Sequence, residues 1–416
     1  MNPSIGDLTR TFARIGVLSF GGPAAQIALM HRELVDERKW LTESEYLSAL
    51  SFCMLLPGPE AMQLATYSGW KLHGVRGGLI AGGLFVLPGA VVVLALTMIY
   101  AAFGQVPLIA AIFTGVQAAV VAIVIEALLR VARRALKRRV HLMIAALAFV
   151  ALFFFAVPFP VLILGAGIWG FLSTSPTGVA ARSGPLPWGQ SLQAVLIWGA
   201  IWLVPMAALW IFEGGLLTEI GLFFSKLAVV TFGGAYAVLA WMAQTVVQDK
   251  GWLTIRQMMD GLGLAETTPG PLILVTEFVG YMAGHRVGGI PLGLAAAAVT
   301  LWMTFAPCFL WIFAGAPWIS LLTAAPRLNG ALSAITAAVV GVIANLSLWF
   351  AAHVFFDRVD TFSWMPVQVI VPRINSIDLA AAFLAIASAY LLLGRHWSIP
   401  KVLGLAAVAA VTLASF

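Results

Sequence analysis

The length of the uncharged apolar stretches constrains this chain more than any other feature. Residues 77–125 form 49 consecutive positions without a charged side chain, and the stretches 183–212 and 287–326 are uncharged as well. A helix that crosses a bilayer needs about 20 apolar residues, whereas the strands of a membrane barrel are short and alternate. The chain is 61% hydrophobic and only 10% charged, so its main solvent must be lipid. We therefore predict an all-α polytopic membrane protein with about 10–13 transmembrane helices.

A tandem repeat runs through the chain. Three uncommon motifs recur at a constant offset of 212 residues: Phe20-Gly21-Gly22 as Phe232-Gly233-Gly234, Trp40-Leu41-Thr42 as Trp252-Leu253-Thr254, and Pro57-Gly58-Pro59 as Pro269-Gly270-Pro271. At the same offset Arg14 falls on Lys226 and His73 on His285. This constant spacing predicts two homologous halves.

The repeat predicts three parts: an N-terminal transporter repeat (1–172), a linker with a connecting span (173–212) and a C-terminal transporter repeat (213–416). Each repeat should begin with one spanning helix, at about 8–30 and 216–242, followed by two short helices that meet at Pro-Gly-Pro. If these broken helices cross the membrane, a half has six spans and the halves are inverted. If they are re-entrant hairpins, a half has five spans and the halves are parallel. We favour inverted repeats with broken helices, a common transporter plan.

The net charge of +6 is best explained by topology, because the basic residues cluster in short loops and at helix ends. The basic run 130–139 is predicted to be cytoplasmic, and the matching loop 357–375, with two Arg and two Asp, to lie on the other side. We expect the lipid bilayer as a partner and no nucleic acid, and a homodimer stays open.

The two Pro-Gly-Pro breaks are the clearest functional signal. Proline removes a backbone donor and glycine loosens the turn, so each helix must open there. A helix that starts after such a break directs free N–H groups and a positive dipole end into the gap. A simple structural kink is the alternative. We predict that Pro57, Gly58, Pro59, Pro269, Gly270 and Pro271 line a site for a small anion.

Two cations and three acids complete the candidate site. Arg14 and Lys226 each stand six residues before a Phe-Gly-Gly motif, where a charge within a span is costly. We predict that they bind or attract the anion, together with Gly21, Gly22, Gly233 and Gly234; snorkelling towards the membrane surface is the alternative. An acid near a break can carry a coupling proton, and the candidates are Glu60, Glu266 and Glu277.

Enzyme signatures are weak in this sequence. The run Gly165-Ala166-Gly167-Ile168-Trp169-Gly170 matches a dinucleotide fingerprint, but it lies inside an apolar span, where helix packing explains it better. The six histidines show no metal-ligand spacing, and the two cysteines support no disulfide framework. We predict no cofactor, no metal and no enzymatic activity.

The motifs resemble those of the chromate transporter family in its long, two-domain form. The first copy contains Phe20-Gly21-Gly22-Pro23, Lys39-Trp40-Leu41 and Leu56-Pro57-Gly58-Pro59, and the second copy repeats this order. The resemblance covers nearly the whole chain. It implies export of chromate across the bacterial cytoplasmic membrane, chromate resistance, a relation to the isosteric dianion sulfate, and oppositely oriented halves. In the second copy Ala235 stands in place of Pro23, so the halves need not bind alike.

The resulting hypothesis is a secondary transporter in the bacterial inner membrane that exports chromate, driven by the proton gradient or by anion exchange. Transport of sulfate or another oxyanion is the first alternative. An intramembrane enzyme acting on a lipid carrier is an alternative of another class, and a sensor or scaffold is the weakest. The residues alone lead only as far as a small anion.

Overall fold

The computed structural model describes residues 3–20, 22–175, 188–232, 235–364 and 367–414. Gly21, Gly233 and Gly234 lie outside the described residues, as does most of the linker. The α-helices before the linker are α1 (Ile5–Leu18), α2 (Gly22–His31), α3 (Glu43–Leu55), α4 (Glu60–Phe103), α5 (Pro107–Ala135), α6 (Arg139–Phe155) and α7 (Phe159–Ser173). Those after it are α8 (Trp188–Phe212), α9 (Leu216–Val230), α10 (Ala235–Gln244), α11 (Ile255–Thr267), α12 (Val275–Gly315), α13 (Ile319–Thr323), α14 (Pro326–Phe355), α15 (Leu379–Ala389) and α16 (Ile399–Ala414).

The all-α membrane class is confirmed. Five helical stretches of the described residues are long and apolar enough to cross a bilayer: Glu60–Phe103, Pro107–Ala135, Trp188–Phe212, Leu272–Thr323 and Pro326–Phe355. Shorter apolar helices are Arg139–Phe155, Phe159–Ser173, Leu379–Gly394 and Ile399–Ala414. The loop after α14 contains an antiparallel hairpin that was not predicted, with strands β1 (Val359–Trp364) and β2 (Val367–Pro372). Its β-branched and aromatic residues are typical of strands.

The first Pro-Gly-Pro break is the tip of a helical hairpin. Lys71 Nζ lies 3.5 Å from Glu45 Oε1, and the rings of Phe52 and Tyr67 have centroids 6.0 Å apart. In one continuous helix residues 45 and 71 would be about 39 Å apart, at 1.5 Å per residue. The arms α3 and the start of α4 therefore run side by side in opposite directions. In this repeat the crossing arrangement that we favoured is wrong, because proline and glycine reverse the chain.

Helix α4 itself turns back a second time. At Gly74 the backbone has φ 59° and ψ −152°, a conformation that suits glycine and breaks the helix. A Cβ on Gly69 would lie 2.2 Å from the carbonyl oxygen of Gly77, although eight residues of straight helix span about 12 Å. Helix α12 turns in the same way at Gly289, with φ 64° and ψ −158°. Each of these long helices is therefore a short arm followed by a long one.

The predicted first span is likewise two short helices, and that prediction is wrong. Helix α1 ends at Leu18 and α2 begins at Gly22, while Arg14 Nη1 lies 3.7 Å from Glu33 Oε1. Nineteen residues of straight helix would separate these positions by about 28 Å, farther than the two side chains reach. The chain therefore turns back between α1 and α2 as well. A π-helical turn, Arg32–Glu37, continues α2.

The repeats correspond closely in structure. The loop before α3 has a capping box, since the Thr42 and Glu45 side chains bond each other's backbone N–H, and Thr254 and Gln257 do the same before α11. Lys39 and Gly251 both have positive φ, at 53° and 61°. After the break the second repeat gains a short 3-10 turn, Leu272–Leu274, which raises the offset to 215, from Gly74 to Gly289. His73 and His285 are therefore not equivalent positions, contrary to prediction.

Contacts divide the chain into two compact units, each drawn from both repeats. The first comprises Met1–Met98, Ser175–Ala235 and Thr268–Asn329, and the second Ile99–Thr174, Tyr236–Thr267 and Gly330–Phe416. The first unit contains both Pro-Gly-Pro segments. In the second, α5 packs closely on α16, where a Cβ on Gly115 would lie 2.2 Å from the Ala406 carbonyl oxygen.

Candidate anion site at the hairpin tips

The two repeats exchange the same hydrogen bond. The backbone N–H of Gly58 donates to the carbonyl oxygen of Thr231 at 2.8 Å, and that of Gly270 donates to the carbonyl oxygen of Ser19 at 2.9 Å. Gly270 is Gly58 shifted by 212 residues, and Thr231 is Ser19 shifted by 212. Each Pro-Gly-Pro tip is thus tied to the residue before the Phe-Gly-Gly motif of the other repeat. The structure brings together two motif pairs that are far apart in sequence.

Glycine is required at both tips. Gly58 has φ 124° and Gly270 has φ 90°, values that side-chain-bearing residues rarely adopt. A Cβ on Gly58 would lie 2.7 Å from Gln63 Nε2 and 3.0 Å from Cys308 Sγ. A Cβ on Gly270 would lie 2.8 Å from Leu274 Cδ1. Both conformation and space therefore restrict these positions.

The tips lie beside the middle of the long arms. A Cβ on Gly89, near the centre of the long arm of α4, would lie 2.3 Å from the Pro269 carbonyl oxygen and 3.1 Å from Gly270 Cα. Cys308, well inside the long arm of α12, faces Gly58. If these long arms cross a bilayer, the tips lie at mid-depth, where exposed backbone is tolerated only beside a cavity or within protein.

A glutamine holds each tip. Gln63 Nε2 donates to the Pro57 carbonyl oxygen at 2.7 Å, and Gln26 Nε2 donates to the Gly270 carbonyl oxygen at 2.7 Å and to that of Ser19 at 3.3 Å. Both side chains are buried, and among the described residues neither amide oxygen has a hydrogen-bond partner. Sequence reasoning missed both glutamines because the repeat does not preserve them: Gln26 falls on Val238.

The helices that end at the tips and the helices that start there present opposite ends of their dipoles. The carbonyls of Ser19 and Thr231, at the negative ends of α1 and α9, accept the glycine N–H groups described above. Helices α2 and α4 start at the tips, at Gly22 and Glu60, and first-turn N–H groups have no partners within their own helix. The hydrogen bonds at the tips therefore neutralise the negative ends of α1 and α9 and leave the positive ends of α2 and α4 in place. Positive helix ends are a suitable environment for an anion. The amides of Gly58 and Gly270 support the tips and are not free to bind a ligand.

Arg14 is half-exposed and lies next to an acid that sequence reasoning missed. Its guanidinium is 3.7 Å from the carboxylate of Glu33, which is fully buried, and Arg38 contacts the same carboxylate. The side chain of Arg14 remains 55% exposed, so it is open to a ligand while Glu33 holds it in place. From the sequence alone Glu33 looks like an ordinary acidic residue of a loop. It lies next to Arg14 only because the chain turns back after Leu18.

Lys226 has a different environment. It is exposed on α9, and the described residues offer it no ion pair. The position equivalent to Glu33 is Thr245, so the second repeat lacks the buried counter-charge. The first repeat therefore presents a paired cation and the second an unpaired one.

The three candidate acids separate into two places. Glu60 is the first residue of α4, directly at the tip. Glu277, the third residue of α12, is 1% exposed, and its Oε2 has no hydrogen-bond partner among the described residues. Glu266 belongs to the other compact unit, where it accepts a 2.6 Å hydrogen bond from Tyr236. That unit also buries Asp260, which sequence reasoning missed and which accepts hydrogen bonds from Tyr100 and Gln117.

His31, the last residue of α2, is a titratable group placed between two acids. His31 Nε2 lies 2.6 Å from Glu43 Oε2, and Nδ1 lies 3.3 Å from Asp36 Oδ2. The hydrogen bond to Glu43 raises the pKa of His31 above its ordinary value, against a smaller opposing effect of burial. The pKa of Glu45 is lowered by the backbone hydrogen bond from Thr42. The charges at this end of the first hairpins are therefore mutually stabilising.

These features define a multi-pass α-helical membrane protein built from two repeats that meet at paired hairpin tips. The chain belongs to the chromate transporter family. The model of that family, described as chromate transporter, matches residues 6–171 and again 218–413, with starting points 212 residues apart.

Curated relatives agree with this assignment. The chain is 33% identical over 347 residues to a probable chromate transport protein of Synechococcus elongatus, covering 82% of this chain and 83% of the relative. It is 31% identical to the chromate transport protein of Cupriavidus metallidurans (84% and 83% covered) and 31% identical to that of Pseudomonas aeruginosa (85% and 82% covered). No solved structure matches the chain.

Proposed function

We propose that this protein is a secondary transporter that exports chromate across the bacterial inner membrane and thereby confers chromate resistance. Family membership supports the cargo, since three relatives that cover most of the chain are named chromate transport proteins. The observation that carries the site is the reciprocal pair of tip hydrogen bonds, which joins the predicted motifs of both repeats. In this proposal the dianion binds beside the tips, against the first turns of the helices that start there. Arg14 and Lys226 bind or attract it on the way to this site.

We propose inverted repeats, now for a different reason. Each hairpin at the front of the first repeat returns the chain to the side from which it came. The long arm of α4, then α5 and α8, cross once each, and the pair α6 and α7 brings no net crossing. Three net crossings are odd, so the second repeat begins on the opposite side.

The distribution of basic residues supports this topology and its orientation. On the side of the amino terminus the topology places fourteen of the 23 Lys and Arg: Arg32, Arg38, Lys39, Lys71, Arg76, Arg130, Arg133, Arg134, Lys137, Arg138, Arg139, Arg327, Arg395 and Lys401. On the other side it places five: Lys250, Arg256, Arg286, Arg358 and Arg373. Cytoplasmic loops are enriched in Lys and Arg, so the amino-terminal side faces the cytoplasm.

For energy coupling we propose proton exchange through Glu277, with Glu60 as the second candidate. The Glu277 carboxyl is buried and its Oε2 has no hydrogen-bond partner among the described residues, so it is costly to ionise, and its charge state is expected to follow the binding of another ion. Glu60 lies at a helix start, where a carboxylate is also stabilised by the helix dipole. Anion exchange without protons is the competing mechanism.

Everted membrane vesicles containing the protein test the proposal. Labelled chromate and labelled sulfate are supplied separately, with and without an imposed proton gradient or an internal counter-anion. Gradient-dependent chromate accumulation is the expected result. Accumulation of sulfate alone would reassign the cargo, and movement of neither anion under any gradient would contradict the transport proposal. Vesicles prepared in the same way from cells that lack the protein provide the control.

A further inference from the structure

A basic cleft in the second compact unit is separate from the tips. Its volume is about 470 Å³, and it lies between the end of α5 and the segment that follows α15. Its lining residues are Glu126, Leu129, Arg130, Arg133, Arg134, Leu392, Leu393 and His396. The α5 wall carries the three arginines together with Glu126 and Leu129, and the opposite wall carries two leucines and His396.

The charges in this cleft do not cancel. Arg130 contacts Glu126 on the same helix face, so those two side chains neutralise each other. Arg133 and Arg134 are exposed, and the described part of the chain provides no ion pair for either. His396 is exposed as well and has φ 54°, uncommon for a residue with a side chain. Two guanidinium groups therefore remain available to an anion.

The surroundings indicate the depth of a lipid headgroup. Leu129 and Leu393 are 38% and 37% exposed beside the arginines, so the cleft offers apolar surface next to its cations. Tyr390 and Trp397, on either side of the lining segment, are 62% and 42% exposed. Aromatic residues of this kind concentrate at the interface between membrane and water, with Lys and Arg on the cytoplasmic side.

We propose that this cleft binds the phosphate headgroup of an anionic phospholipid, with Arg133 and Arg134 on the phosphate and an acyl chain along Leu129 and Leu393. Arginine suits phosphate because its planar group donates two parallel hydrogen bonds. A free oxyanion would satisfy the arginines but leaves the apolar surface unexplained. The cleft is thus a site for lipid.

Native mass spectrometry of the purified full-length protein tests this proposal, with added phosphatidylglycerol or phosphatidylcholine. The variant Arg133→Gln/Arg134→Gln removes the two free cations. The control Arg138→Gln/Arg139→Gln removes the same charge from the same basic run but outside the cleft. All four residues are exposed, so both variants should fold, which size-exclusion chromatography verifies.

Phosphatidylglycerol affinity should fall about tenfold in the cleft variant and little in the control, given the usual effect of a basic residue near an anionic membrane surface. Equal loss in both variants, or equal binding of phosphatidylcholine by the unchanged protein, would overturn the proposal. Added inorganic sulfate distinguishes the two sources of the anion. Competitive displacement of the lipid by millimolar sulfate at constant ionic strength would assign the cleft to free oxyanions instead.

Discussion

The backbone N–H of Gly58 lies 2.8 Å from the carbonyl oxygen of Thr231, a residue of the other repeat. The equivalent bond joins Gly270 to Ser19 at 2.9 Å. Two contacts related in this way are expected of two repeats placed around a pseudo-two-fold axis. The tips are therefore the part of the molecule where a substitution in one repeat should disturb both.

Gly58→Ala should reduce transport at least tenfold at equal membrane abundance. The change forces a side chain into φ 124° and against Gln63 and Cys308, and strain of this kind costs about 1–3 kcal/mol. Gly83→Ala on α4 is the matched control, because its added Cβ meets nothing within 4 Å. Chromate uptake into everted vesicles provides the measurement. Equal rates for the two variants would refute a functional role for the tip conformation.

Arg14→Ala should abolish chromate resistance without loss of the protein from the membrane. Glu33 keeps its contact with Arg38, so the variant leaves no buried carboxylate unpaired. Arg14→Lys should retain part of the activity, since lysine keeps the charge but loses the fork geometry. Lys226→Ala should have a smaller effect than Arg14→Ala.

Arg10→Ala, at another exposed arginine one turn earlier in α1, is the control for this series. Survival on chromate and vesicle uptake, each at matched abundance, are the measurements. A fully active Arg14→Ala protein would leave the helix ends at the tips as the remaining candidate site.

Glu277→Gln should weaken proton-driven export by more than tenfold while retaining exchange of internal for external anion. The amide fills the same volume but cannot release a proton, and Glu277 is 1% exposed. Glu60→Gln is the comparison, with a smaller loss expected. Export rates are measured with an imposed pH gradient and, separately, with counter-anion alone. If both rates and their pH dependence stay as in the parent, Glu277 is not the coupling group.

His31→Gln should lower thermal stability in a pH-dependent way. Because the folded-state pKa of His31 is raised, its contribution is fully present below the unfolded value of about 6.5 and is lost as pH rises through the folded value. The parent protein in detergent should therefore melt a few degrees above the variant at pH 5.5, with little difference at pH 9. A gap that widens with pH would contradict the sign of this argument.

Single cysteines near Arg134 and Asp360 should label from opposite sides of the membrane. Native Cys53 and Cys308 are buried, so background labelling by a membrane-impermeant maleimide should be low. Labelling at 360 but not at 134 in whole cells is the expected pattern. Labelling of both positions from outside would refute inversion and favour parallel halves.

Local chemistry in the sequence predicted much of this architecture. The capping box at Thr42 and the stops at both Pro-Gly-Pro segments depend on nearest neighbours and were confirmed. The crossing of the first helix was wrong, because an apolar helix interrupted by glycine can continue through the membrane or turn back. Only tertiary contacts such as that of Arg14 with Glu33 distinguish the two.

Residues of the candidate site could be predicted from the sequence where both repeats share them. Residues present in one repeat alone could not. Duplicated glycines and prolines identified both tips. Glu33 and Gln26 act through contacts with residues distant in sequence and have no counterpart in the second repeat, so no pattern marked them. The roles assigned to Arg14, Lys226 and the acids stay predictions.

The reciprocal tip bonds also bear on ancestry. The amide of each Pro-Gly-Pro glycine bonds a carbonyl of the other repeat, which a polypeptide with a single repeat does not contain. Such a polypeptide would need a second copy to form either of these bonds. Under the topology proposed here, the second copy would be inserted in the opposite orientation. Gene fusion turns that encounter between separate chains into an intramolecular one, with a high effective concentration. It also allows the two halves to differ, as Glu33 in the first repeat and Thr245 in the second illustrate.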